Sequence, residues 1–105
     1  MDAKHYVRIA ELEIDPAQLT SFHAAIEVSV ETAVRVEPGV VALYAVSEKD
    51  DPTRISVFEI YTGEDAYKTH LEAEHFRKFR TVTEKMVKSR NLIDAVPIAM
   101  SAKMG

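Results

Sequence analysis

Two neighbouring stretches, "VVALYAVSE" (40–48) and "TRISVFEIYT" (53–62), are apolar whichever way alternate residues are counted. Successive side chains of a β-strand point to opposite faces, so both faces of these strands are greasy. In the first, Val41, Leu43 and Ala45 fall on one side, with Val40, Ala42, Tyr44 and Val46 on the other. In the second, Ile55 and Val57 oppose Phe58 and Ile60. An antiparallel sheet with one wet face alternates apolar and polar residues, and this pair does not. The polar turn "KDDP" (49–52) between them makes a hairpin, and both sides of that hairpin need cover.

The flanking segments supply one cover. "HYVRIAELEI" (5–14) reads as a first strand. Asp15 then stands as an N-cap, Pro16 at the first helical position and Gln18 where a capping box closes. Leu19, Phe22, Ile26, Val30 and Ala33 recur at steps of three and four, which predicts a helix over 16–36, ended by "EPG" (37–39). A second helical region spans 63–90, opened by Thr62 and Asp65. Its step from His70 to Phe76 leaves the apolar phase, so a break is expected near 72–75. "NLIDAVPIAM" (91–100) is a fourth strand that Pro97 confines to an edge or bulge, and the tail "SAKMG" is loose. The order β-α-β-β-α-β is that of an α+β, ferredoxin-like domain, an antiparallel four-stranded sheet with both helical regions on one face. One such domain accounts for residues 1–105. The second face then needs another cover, and a second copy of the chain is the simplest one. At about 25 cal/mol per Å², leaving several such side chains wet forgoes several kcal/mol.

Composition excludes more than it selects. A net charge of −4, with acids and bases interleaved, argues against a nucleic-acid or anionic-membrane partner. The absence of cysteine removes disulfides, thiolate metal sites and a cysteine nucleophile. No apolar run approaches the roughly 20 residues that span a bilayer. The N-terminus carries acids where a signal peptide needs an apolar stretch, so a cytoplasmic location is expected.

"THLEAEHF" (69–76) holds two of four histidines, His70 and His75. Metal ligands on one helical face sit three or four apart. A spacing of five turns the second about 140° from the first on a straight helix, so no metal pair is expected. His70 lies on the less polar side with Ala66 and reads as either a packed or a functional histidine; His75 reads as a capping or hydrogen-bonding one. Glu59 interrupts "ISVFEIY" on the face of Val57 and Tyr61, either as half of a salt bridge or as a desolvated carboxylate with a raised pKa. Tyr61 and Tyr44 can each offer a hydroxyl to a cavity. Arg90 suits an anion or the C-terminal end of a helix.

"FEIYTGEDAYKTHLEAEHFRKF" (58–79) resembles the signature of the antibiotic-biosynthesis-monooxygenase-like family of dimeric α/β barrels, with Glu59, Tyr61, Asp65, Ala66, His70, His75 and Phe76 on its pattern. The likeness extends over most of the chain, including "EPGVVALY". It implies a homodimer with a pocket in each subunit between sheet and helices, and an aromatic or carbonyl small-molecule substrate. Members oxidise quinols and anthrones with O₂ and no cofactor, degrade haem, or isomerise a phosphorylated signalling compound. His70 stands where the haem-degrading branch has Trp, and its haem-ligand position falls near Arg80, which speaks against haem. Ala66, His70 and Phe76 replace the Asn, Trp and Tyr of the anthrone oxygenases, with Arg90 kept. The resemblance thus implies a cofactor-free monooxygenase with His70 and Glu59 catalytic, and Tyr61, Tyr44, His75, Phe76 and Arg90 around the substrate. An isomerase of a small carbonyl compound and a non-catalytic binding domain are the alternatives.

Overall fold

The computed structural model describes residues 4–103. Strand β1 (Tyr6–Ile14) leads through a 3-10 turn (Pro16–Gln18) into helix α1 (Leu19–Val36). Strands β2 (Val40–Ser47) and β3 (Arg54–Tyr61) form the hairpin, followed by helices α2 (Glu64–Glu72) and α3 (Glu74–Thr83) and strand β4 (Val87–Ala95). The sheet runs β2-β3-β1-β4 with every pair antiparallel, which is the ferredoxin-like α+β arrangement read from the sequence. None of the described helices is long and apolar enough to cross a membrane.

Local chemistry explains most boundaries. Asp15 accepts the Ala17 N–H, and the Gln18 amide donates to the Asp15 carboxylate. The capping box expected at Gln18 does not close on the backbone, because the Asp15 N–H is already spent on the Met86 carbonyl at 2.8 Å. The α1 stripe buries Phe22 and Ala33 completely and Leu19, Ile26 and Val30 in part. The second helical region breaks at Ala73, whose extended backbone (φ −64°, ψ 136°) separates α2 from α3. It also ends earlier than residue 90, since β4 starts at Val87 and stops at Ala95, short of Pro97. β4 pairs with β1 alone and is an edge. Residues 101–103 of the tail have no regular structure, and its last two residues lie outside the described range.

The two sheet faces are both apolar, with one change of register. An irregularity between Val40 and Ala42 places Val40 on the helix-covered face beside Leu43, against Ala33 and Tyr61. Val41 instead packs with Ala42, Val7 and Ile60 on the far face. Alternation counted from the sequence put these two residues on the opposite sides, because a bulge adds a residue without leaving a composition signal. On the far face Met100 folds over one end, while Tyr44, Val46, Phe58 and Ile93 remain 56%, 62%, 36% and 37% exposed.

Gly39 sits where β2 begins, its carbonyl accepting the Thr62 N–H at 2.9 Å. A Cβ built there meets the Ala66 Cβ at 2.5 Å, so α2 lies against β2 through a contact with no room for a methyl. Replacing Gly39→Ala should therefore cost about 1–3 kcal/mol, read as a lower chemical-denaturation midpoint with an unchanged slope.

Candidate functional site

Between the sheet and the three helices lies a cavity of about 160 Å³. Phe22 and Ile26 of α1, Phe76 and Phe79 of α3, and Leu43 and Val57 of the sheet make its walls apolar. The polar groups reaching it come from all sides: Arg8 of β1, Glu59 of β3, Tyr67 and His70 of α2, Arg80 of α3 and Arg90 of β4.

His70 is buried in the last turn of α2, its ring 4.5 Å from that of Phe76. Its Nδ1 lies 2.7 Å from Glu37 Oε2, and His75 Nε2 lies 2.6 Å from the same oxygen. An ionised carboxylate only accepts, so in this arrangement both ring nitrogens carry hydrogen and donate. Glu37 is the first residue past α1; its N–H bonds the Ala33 carbonyl and its own carbonyl accepts from Val40. The chain turns away there and throws the carboxylate toward α2. The break at Ala73 does the rest. It turns α3 so that His75 comes back to the oxygen that His70 already holds. With Nδ1 committed, Nε2 of His70 has no hydrogen-bond partner among the described residues, yet it is not sealed off, and the ring lines the cavity.

Glu59 points up from the middle of the sheet. Burial pushes its carboxyl above the ordinary value, and the Tyr61 hydroxyl, Arg8 and His70 offset that only in part. The Tyr61 hydroxyl donates to Glu59 Oε1 at 2.6 Å, and burial beside that carboxylate raises the phenol well above its usual range. Tyr61 is thus a fixed neutral donor, fully buried and not part of the cavity wall. Arg8 pairs with Asp94 at 2.7 Å, stacks 4.4 Å over the Tyr67 ring, and is the cross-strand neighbour of Glu59.

Among the residues expected around a substrate, Phe76 and Arg90 line the cavity. His75 stands behind His70, on the Glu37 side. Tyr44 is a correction: it points from the far sheet face, opposite Phe58, because its parity in β2 is that of Ala42 and not of Leu43. Sequence reasoning passed over Glu37 and Arg8. Glu37 looked like helix punctuation, although a carboxylate three residues before a strand had no other assigned partner. Arg8 carried a usable signal, a charge at the parity of Ala10 and Leu12 in β1.

A ferredoxin-like α+β domain with a largely apolar hollow between sheet and helices, reached by several titratable side chains, is the class of protein these features define. Residues 5–82 match the pattern of the antibiotic biosynthesis monooxygenase family, and the chain belongs to that family. A candidate antibiotic biosynthesis monooxygenase from Bacteroides thetaiotaomicron is 40% identical, with 99% of this chain and 100% of that one covered at a TM-score of 0.93. A candidate from Nitrosomonas europaea shares the fold at 21% identity, 97% and 98% coverage and a TM-score of 0.88. A candidate monooxygenase from Lactobacillus acidophilus does so at 24% identity and a TM-score of 0.86, over 91% of this chain and 45% of that one. No curated protein matches the sequence.

The raised Glu59 has a consequence for stability. Between the ordinary carboxylate pKa and the higher one in the folded chain, the folded state binds more protons than the unfolded, so stability falls as pH rises through that window. Glu59→Gln keeps an acceptor for Tyr61 and removes the charge. Thermal melts from pH 4 to 8 should show this fall in the wild type and a flatter profile in the variant, with the variant the more stable at pH 7.

Proposed function

We propose that the protein is a cofactor-independent monooxygenase that oxidises a quinol-like or phenolic small molecule with O₂. The observation that carries this reading is the imidazole of His70, whose ring lines an apolar cavity, whose Nδ1 is held by Glu37 and whose Nε2 has no partner among the described residues. An imidazole oriented by a carboxylate suits removal of a phenolic proton. Glu37 stabilises the imidazolium that results. The electron-rich phenolate passes an electron to O₂, and recombination at the ring gives a hydroperoxide that loses water. A phenol plus O₂ thus yields a quinone plus water, the substrate supplying every electron. The rings of Phe22, Phe76 and Phe79 suit an aromatic substrate and keep water from the intermediates. Glu59, held by Tyr61, is placed to accept a substrate hydroxyl or return a proton.

A second reading, isomerisation of a small anionic carbonyl compound, is favoured by one observation. Arg80 and Arg90 reach the cavity and make no ion pair among the described residues. Oxygen consumption separates the two. With a panel of hydroquinones, chelator-treated protein should take up O₂ without added flavin or metal, and His70→Ala should lower kcat about 10²- to 10⁴-fold. An unchanged rate in His70→Ala, or uptake only with added flavin or metal, overturns the first reading.

We also propose a homodimer packed through the far sheet face, where Tyr44, Val46, Phe58 and Ile93 are exposed together. Light scattering should give twice the chain mass, and Phe58→Arg should give a folded single chain.

A further inference from the structure

We propose that Glu37, His70 and His75 also form a binding site for one divalent transition-metal ion of the zinc or cobalt class, on the side of His70 turned away from the cavity. Their ligand atoms, one carboxylate oxygen and two imidazole nitrogens, all lie within 4.8 Å of one another. Two nitrogens and one oxygen suit zinc and its neighbours, and not magnesium or calcium, which take all-oxygen shells. The spacing that argues against a pair on a straight helix does not apply, because the chain corners at Ala73 between the two histidines.

The geometry is close to what an ion requires. Ligands at about 2.0–2.1 Å from a metal stand about 2.8–3.4 Å from each other, the shorter separation in an octahedral shell and the longer in a tetrahedral one. The nitrogens now lie 2.7 and 2.6 Å from Glu37 Oε2, so each needs to open by well under 1 Å. Glu37 is the one anion and both imidazoles bind as neutral ligands, so a dication leaves the centre with a single positive charge. Access comes from the His75 side: its side chain is 23% exposed, against 11% for Glu37 and 5% for His70. Water takes the remaining positions from there.

Loading the site changes His70 chemically. With the ion on Nδ1, the ring hydrogen resides on Nε2, and the group facing the cavity becomes a donor where it was an acceptor. The metal-loaded form is therefore incompatible with proton abstraction by His70. Binding itself does not rest on that reaction, so the test reads the ion directly.

Chelator-stripped protein is titrated with CoCl₂ and followed by visible absorption, with ZnCl₂ followed by thermal melting. One Co²⁺ per chain should give the intense visible bands of a low-coordinate protein site, and Zn²⁺ should raise the melting temperature. His75→Ala and Glu37→Gln should each weaken binding by about 10- to 100-fold or more, since losing even an outer partner of a metal ligand costs that much. His23→Ala, an exposed histidine in a separate groove on α1, should bind as the wild type does. Circular dichroism checks that each variant is folded. His75 is partly exposed, so its removal tests the site even where Glu37→Gln disturbs the end of α1. A spectrum that stays that of aqueous Co²⁺, equal affinity in His75→Ala, or binding lost in His23→Ala overturns the proposal.

Discussion

One carboxylate oxygen joins three helices. Glu37 Oε2, just beyond α1, receives His70 from α2 and His75 from α3. Hydrogen bonds to an ionised acceptor are the stronger ones, each contributing about 1.5–3 kcal/mol, and these are largely shielded from water. The orientation of His70 follows from this, and the bond to His75 secures the angle that the break at Ala73 sets between α2 and α3. The wall of the cavity built by Phe76 and Phe79 rides on that angle. Removing the carboxylate leaves two imidazoles facing a gap, so Glu37 matters to shape as well as to protonation.

The polar groups of the hollow are arranged in two tiers. On the helix side, Glu37 and the histidines share hydrogens. On the sheet side, Glu59 is pinned by Tyr61 while Arg8 is engaged by Asp94 and the Tyr67 ring. A charge that already has a partner moves little when a ligand arrives, which is the arrangement electrostatic catalysis requires. Arg80 and Arg90 differ in lacking ion partners among the described residues, and they are the adjustable charges of the cavity rim.

Much of the fold was legible because it follows from periodicity. The stripe Leu19, Phe22, Ile26, Val30, Ala33 could only be a helix laid on an apolar surface, and the phase slip between His70 and Phe76 located the corner at Ala73. What stayed hidden depended on tertiary placement. The bulge near Val41 exchanged two side chains between faces, and no residue type announces such an irregularity. The site was half visible. His70, Glu59 and Phe76 stood out by type and parity, whereas Glu37 is separated from its partners by 33 and 38 residues. Only the tertiary fold, which sets the end of α1 within reach of α2 and α3, brings them together. The spacing of five between the histidines, taken on a straight helix, likewise gave no sign that both rings reach one oxygen.

The contact at Gly39 divides the labour of the structure. The helix that bears His70 is seated by a methyl touching bare backbone, and neither Gly39 nor Ala66 lines the cavity. Walls such as Ile26 and Phe79 belong to a separate packing cluster, so a change in their bulk leaves the seat of the imidazole untouched.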